Sequence, residues 1–326
     1  TLDLQGNRTL EQVFDPANVL AQTRSRVYSD LNRLSQELGA AAQVTAYAYD
    51  NQGNLASVTD PNALATTNAY DALNRLVRVT TPDASQVNYA FNALDQTVSV
   101  SDPRNLVTTY ALDGLGNLNT QVSPDTGTTV NTYDAAGNVL TRTDARGVTA
   151  AYSYDALNRV TQVLYPAVGS VAAQTVTFTY DQGLNDKGRM TTMTDRTGTT
   201  DWQYDAHGRV IRKQQVSLGI GGYVPALVTE YAYAAQSGRM SSMTYPSGRR
   251  LDYTYDAAGR VVSLSLNGQP IVSNVQYHPF GAPKSWTYGN GQAFTRTFDA
   301  DGRIAGHTLG AATRTITYDA ASRITA

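Results

Sequence analysis

Tyr70-Asp71-Ala72-Leu73-Asn74-Arg75-Leu76 returns almost unchanged as Tyr154-Asp155-Ala156-Leu157-Asn158-Arg159-Val160. Tyr133-Asp134-Ala135-Ala136-Gly137-Asn138-Val139 returns as Tyr255-Asp256-Ala257-Ala258-Gly259-Arg260-Val261. Working outward from these, the aromatic of the phrase recurs at Tyr28, Tyr49, Tyr70, Phe91, Tyr133 and Tyr154, with Leu112 in the one remaining slot, at steps of 21 residues. It continues at Tyr180, Tyr204, Tyr233, Tyr255, Tyr277, Phe298 and Tyr318 with steps of 20 to 29 residues, and a degenerate copy opens the chain at Leu2-Asp3-Leu4-Gln5-Gly6. Such a fixed period is the signature of a repeat protein. About 15 copies fill the 326 residues with no linker and no shift in composition. A single array over residues 1–326 is therefore expected, with longer copies between residues 154 and 233.

Composition gives the fold class. The chain has 21 Tyr, 26 Gly and 24 Asp but only 3 Glu and 3 Lys. Tyr, Val and Thr suit strands, Gly, Asp and Asn suit turns, and the good exposed-helix residues Glu and Lys are nearly absent. An all-β protein follows. Each copy reads as two strands and two turns. The first strand ends at Tyr-Asp, often with a second aromatic two residues earlier, as at Tyr47, Tyr89, Tyr152, Phe178, Trp202 and Tyr231. A spacing of two puts both rings on one face. Asp-Ala-x-Gly/Asn then forms a short hairpin loop whose Gly or Asn takes positive φ. The second turn is often Asp-Pro or Pro-Asp, as at Asp60-Pro61, Pro82-Asp83 and Asp102-Pro103, because Pro suits the first corner of a turn.

Two details test this reading. Met190/Met193, Met240/Met243 and Leu76/Val79 are spaced by three, which cannot keep both side chains on one face of a regular strand; a β-bulge is expected between them. Leu31, Leu34 and Leu38 follow a helical period. Position-by-position alignment of Tyr28–Leu34 with Tyr70–Leu76 predicts a strand there instead.

The phrase Tyr-Asp-Ala-x-Gly-Arg followed by Val or Leu resembles the YD repeat of the Rhs (rearrangement hotspot) family, and the resemblance runs essentially the length of the chain. Similar repeats occur in bacterial Rhs polymorphic toxins, in shell components of insecticidal toxin complexes, in wall-associated contact-inhibition proteins and in teneurins. The resemblance implies a long, twisted antiparallel β-ribbon that spirals into part of a hollow shell, commonly around a C-terminal toxin. It singles out Tyr49, Asp50, Tyr70, Asp71, Tyr133, Asp134, Tyr154, Asp155, Tyr180, Asp181, Tyr204, Asp205, Tyr255, Asp256, Phe298, Asp299, Tyr318 and Asp319 as the repeat-defining structural residues. Family shells often carry an Asp-Pro-x-Gly self-cleavage segment; Asp60-Pro61-Asn62-Ala63 and Asp102-Pro103-Arg104-Asn105 both lack its Gly. The expectation is a stretch of wall from a longer protein, without the cleavage segment or the toxin.

The chemistry-bearing residues point away from an enzyme. His207, His278 and His307 lie in different copies without a recurring Ser or carboxylate partner, so turn or strand roles are expected. The aspartates recur uniformly, as turn-capping residues do, rather than as one unusual pair. Asp299-Ala300-Asp301-Gly302 has the start of a calcium loop but not its remaining ligands. Gly219-Ile220-Gly221-Gly222 lacks the Lys-Ser/Thr of a phosphate loop and reads as part of an insertion over residues 216–227. With no Cys there is no disulfide and no thiolate metal site, and a net charge of −2 argues against nucleic acid as a partner. No apolar run is long enough to span a membrane. No catalytic, cofactor or metal residue is assigned. The turn arginines (Arg75, Arg159, Arg189, Arg209, Arg239, Arg260, Arg303) are expected to pair with Asp or stack on Tyr.

The functional expectation is a non-catalytic scaffold segment of a secreted or cell-surface bacterial protein that encloses a toxin or other cargo polypeptide. The expected partners are that cargo or the remaining repeats of the same protein. The alternatives are a structural or adhesive fibre that self-associates through its strand edges, and a surface protein that binds glycans through exposed Tyr, Trp202 or Trp286.

Overall fold

The computed structural model describes residues 1–218 and 225–325. It holds 28 strands, from Leu10–Phe14 to Ala312–Thr315, and the described residues contain no helix. The segment with the helical leucine period is a strand, Leu34–Leu38. Its apolar side chains serve a sheet because the turn before it, Ser29–Arg33, is closed like those of the other copies. The middle of the insertion, including Gly219–Gly222, lies outside the described residues; its arms lengthen the strands Val210–Ser217 and Leu227–Tyr233.

The chain divides into two compact units, one of Thr1–Tyr89 with Tyr253–Ala326 and the other of Ala90–Asp252. Both divisions fall inside strands, Gln86–Phe91 and Arg250–Tyr255. In the first unit, the strands from Leu10–Phe14 to Gln86–Phe91 pair antiparallel, each with the next. Those from Val261–Leu266 to Ala312–Thr315 do the same. In the second unit the strands from Thr97–Ser101 to Arg250–Tyr255 form one continuous meander.

The register of the hairpins resolves the spacing of three. Tyr180 pairs with Met190 and Phe178 with Met193, but Thr179 pairs with Thr192, so Thr191 is the extra residue of a bulge. The same shift sets Tyr233 against Met240 and Tyr231 against Met243, and Tyr70 against Leu76. One inserted residue turns an odd spacing into a shared face. Both aromatics of the first strand and both apolar residues of the second therefore meet across the pair, the arrangement that stabilises a sheet. The opposite face is small and polar; Thr132 and Thr141 exchange a 2.6 Å hydroxyl contact there, as do Thr194 and Thr199 at 3.1 Å.

The sheet is thin. Ala150, Val163 and Val275 are the only buried apolar residues among those described. Stability is consequently distributed over neighbouring copies rather than held by one globular core.

Candidate functional site: the Tyr-Asp turns and the seam

Each Tyr-Asp turn is stitched by its own aspartate. In the copy at Asp71, the Asn74 N–H donates to the Asp71 carbonyl, and the Asp71 N–H donates to the Arg75 carbonyl, both at 3.0 Å. Asn74 sits at φ 61°, the left-handed corner of a three-residue hairpin loop. The Asp71 carboxylate accepts the Leu73 N–H at 2.9 Å, the Arg75 N–H at 3.0 Å and the Arg75 guanidinium at 2.7 Å. Asp155, Asp205 and Asp299 repeat this pattern. Asp256 and Asp319 accept the backbone N–H and guanidinium of Arg260 and Arg323. Where Asn replaces Arg, as at Asp50 and Asp134, the Asn54 or Asn138 amide donates instead. Asp181 heads a longer loop: it accepts the Gly188 N–H at 2.6 Å and the Arg159 guanidinium at 2.7 Å.

The tyrosines link copies. The Tyr49, Tyr70, Tyr133, Tyr154, Tyr180 and Tyr204 hydroxyls each donate to a carbonyl at the start of a preceding strand: Leu34, Leu55, Leu118, Val139, Val160 and Met190. Tyr318 reaches Ile304 in the same way at 2.9 Å. Arginines reinforce the link in the same direction. Arg159 lies 4.3 Å from the Tyr180 ring centre, Arg209 4.4 Å from Tyr233, and Arg303 4.5 Å from Tyr318. Each such guanidinium binds its own copy's Asp and stacks on the next copy's Tyr. Asn54 and Asn138 reach the next copy's Asn74 and Asn158 at 2.8 and 2.9 Å. Tyr255 lies in the strand Arg250–Tyr255; Phe298 pairs with Ile304 and packs edge-on against Phe280, with centroids 5.2 Å apart. Replacing Tyr133 by Phe is expected to cost about 1 kcal/mol, the net worth of one hydrogen bond, measurable as a lower urea midpoint at unchanged slope.

The carboxylates are held ionised by these contacts. In Asp71 the Arg75 guanidinium comes first, then the Arg75 N–H, and the carboxyl lies below its ordinary range. In Asp134 the Asn138 amide and N–H do the same. Burial of Asp205 works to raise its carboxyl, but the Arg209 N–H and guanidinium and the His207 N–H outweigh it and hold it at about 2. These are strapped structural anions. A carboxyl kept this acidic is a poor proton carrier at neutral pH.

The sequence left one feature unread. In the first unit, late Tyr-Asp turns dock on early turns of the opposite ribbon edge, some 260 residues away along the chain. Asp301 accepts the Ala40 N–H at 2.7 Å across 261 residues, and the Gln43 amide at 2.6 Å across 258. The Gln22 amide donates to the Asp301 carbonyl at 3.2 Å, and the Thr23 N–H to the Ala300 carbonyl at 3.0 Å. One copy further on, the Asn62 amide donates to Asp319 at 2.9 Å across 257 residues. The step is thus one copy on each side, a seam in register. Its signal in the sequence was faint: Asp301 occupies the slot filled by Leu73, Leu94, Leu115 and Leu157 elsewhere. The Asp301 carboxylate that looked like part of a calcium loop is a clamp on a backbone turn, and it also faces Arg303 at 3.1 Å. Asp301→Ala strands the Ala40 N–H, and a loss of about 1–3 kcal/mol is expected, read as faster hydrogen exchange at Ala40 with exchange at Asn158 unchanged.

The histidines are separate from one another. His278 packs at a tilt against Phe280 and Phe298, with centroids 4.1 and 4.9 Å apart; burial, and then Lys284, push its imidazole below the ordinary range. His207 is exposed in its turn, and His307 stacks on Phe294 at 5.8 Å. Trp286 has Phe294 stacked at 4.2 Å and Arg296 at 5.0 Å. Trp202 lines an apolar cleft with Leu184 and Tyr204. Among the described residues, no group of three or more His, Asp or Glu is placed to hold a metal ion, and no helix is long and apolar enough to cross a membrane.

Comparison with known proteins agrees with this geometry. A family model described as RHS Repeat matches residues 28–65, 91–129, 133–167, 185–216 and 236–268, more than half of the chain. No curated protein matches. Among solved structures, the TcdB2-TccC3 complex superposes with a TM-score of 0.80 at 16% identity, covering 93% of this chain and 18% of that one. The TcdB2-TccC3-Cdc42 complex gives 0.78 at 17% identity over the same shares. A Tc holotoxin pore of Photorhabdus luminescens gives 0.78 at 16%, covering 93% of this chain and 17% of that one. This chain therefore spans less than a fifth of the length of those it resembles, and at such identities the likeness is one of fold.

Proposed function

The chain belongs to the RHS-repeat family, and from that premise we propose that it is a stretch of shell wall, a non-catalytic scaffold that encloses a toxin or other cargo polypeptide in a secreted bacterial protein. The observation that carries the reading is the seam. A ribbon whose edge bonds to its own opposite edge, copy against copy, has the geometry of a wall coiling on itself rather than of an open strip. The thinness of the sheet supports it as well, since a wall needs two faces and little core. In this reading the Tyr-Asp pairs have a structural role: Asp fixes the turn, and Tyr joins successive copies. The array over residues 1–326 acts as one building element.

The mechanism is steric. A closed wall keeps a cargo chain from proteases and from the producing cell until delivery, and no side chain of the wall takes part in a reaction. The test is limited proteolysis of the full-length native protein. Cargo protected while the wall is folded, and cut once acid or denaturant opens it, is the expected result; cargo cut at the same rate in both states would overturn the reading.

A fibre is the second reading, and the turns that remain uncovered favour it. Those of one edge are exposed from Leu31 to Ala258.

A further inference from the structure

Asp186 is the most thoroughly buried side chain among the described residues, with 2% of its surface exposed. A carboxylate is an unexpected occupant of that place in so thin a sheet, because burying a charge is costly unless it is paired and hydrogen-bonded. The loop that carries it, Asp181–Arg189, has nine residues where Asp71–Arg75 has five. Its neighbours from Gln182 to Asn185 are exposed, as are Lys187 and Gly188. The Asp186 carboxylate accepts the Gly183 N–H through Oδ2. Among the described residues, Oδ1 meets neither a donor nor a cation. The loop's own cations do not serve it: Lys187 is exposed, and Arg189 donates to the Asn185, Lys187 and Gly208 carbonyls at 3.2, 3.0 and 3.2 Å. Nor is Oδ1 sealed in, since the enclosed side-chain atoms without a partner are Arg159 Nη1 and His278 Nδ1. A carboxylate in this state is a ready acceptor for a cation that comes from outside the chain.

The cleft that Asp186 lines selects the kind of cation. It measures about 310 Å³, lies wholly within the second unit, and is shared with Leu184, Trp202, Tyr204 and Ile211. That volume is at the small end of ligand sites. Gln203 adds one side-chain amide, while the Tyr204 hydroxyl is already given to the Met190 carbonyl. Calcium takes about six to eight oxygen ligands, more than this lining offers. A guanidinium is best held by both oxygens of a carboxylate, and Gly183 occupies one of them. An ammonium bearing alkyl groups asks for less oxygen and more carbon. One carboxylate oxygen meets its charge, apolar side chains cover its carbons, and aromatic rings attract it further. Asp186, the pair Leu184 and Ile211, and the pair Trp202 and Tyr204 supply these three things in one cleft.

We propose that the cleft at the Asp181–Arg189 loop is a binding site for a substituted ammonium group, with Asp186 as its counter-ion. Trp202 and Tyr204 give the site its preference for a cation over a neutral group of the same shape. Leu184, 82% exposed, stands where a ligand enters from solvent. A lysine side chain of a polypeptide and a free amine such as choline present the same chemistry to it. The inference concerns one loop of the second unit and holds whether or not the wall encloses cargo.

The test uses the intact 326-residue chain, with choline as the probe. Choline is expected to raise the melting temperature, as any ligand of the folded state does. It is also expected to change Trp202 fluorescence in a Trp286→Phe background. Its uncharged isostere, with a quaternary carbon in place of the nitrogen, should bind about tenfold more weakly or worse. Asp186→Asn keeps the size of the side chain and should weaken choline by a similar factor at unchanged far-UV circular dichroism. If that variant does not fold, the comparison of choline with its isostere on the unsubstituted chain decides alone. Acetyl-lysine methylamide and its trimethylated form, run as competitors, separate the two sources by whether they or choline occupy the site at lower concentration. No effect of choline on the wild-type chain, equal binding of choline and its isostere, or a folded Asp186→Asn chain that binds choline like the wild type would each overturn the proposal.

Discussion

Deleting Thr191 is expected to destroy the packing of the hairpin around it. Thr191 is the extra residue of the bulge that sets Met190 opposite Tyr180 and Met193 opposite Phe178. It is buried, and its hydroxyl donates to the Thr179 carbonyl at 3.1 Å. Without it, every residue from Thr192 to the next turn moves to the opposite face, because side chains alternate with a period of two. Met193 then leaves Phe178 for the small, polar side. Exposing one such side chain costs about 1.5–3 kcal/mol, before the mispaired Thr194 and Asp195 are considered. Changing Thr191 to Ala keeps the count of residues and should be far milder. The measurement is a thermal melt followed by Trp202 fluorescence. Similar melting temperatures for the deletion and for Thr191→Ala would show that the bulge does not set the faces.

Acid is expected to unfold the array as a whole. The carboxyls of Asp50, Asp71, Asp134, Asp155, Asp181, Asp256 and Asp319 all lie below the ordinary range, held there chiefly by a neighbouring Asn or Arg. Asp205 sits at about 2. A group whose pKa is lower when folded stabilises the fold above its unfolded value, about 3.9 for Asp. That contribution fades as pH falls through the folded value. Structure should therefore persist to about pH 4 and be lost toward pH 2. His278, depressed by burial from 6.5, adds a smaller loss below that value, since only the unfolded state binds its proton freely. Circular dichroism across a pH series at fixed ionic strength measures this. Undiminished strand signal at pH 2 would contradict the structural role given to the aspartates.

Much of this molecule could be read from one phrase of seven residues. Asp, the left-handed Asn or Gly three residues later, and the following Arg or Asn are local features. They fix the turn by contacts within five residues, so the sequence displays them. The strand at Leu34–Leu38 was legible for the same reason: its turn, rather than its leucine period, decides its structure. The bulge was legible as an odd spacing. The stacking of Arg159 on Tyr180 was foreseen as a kind of contact, but not its direction from one copy to the next. The seam was not legible. Asp301 meets Ala40 across 261 residues, and no pattern within one copy records so distant a partner. Asp301 stood out only as a misfit among leucines, and a fragment of a calcium loop was the nearest local explanation for it.

Under the function proposed above, Tyr-Asp hairpins build a wall that coils edge onto edge and encloses a cargo chain. Electron microscopy of the native full-length protein tests it most directly. Closed, hollow particles with density inside are the expected result. Extended filaments with a regular axial repeat and no interior would contradict it.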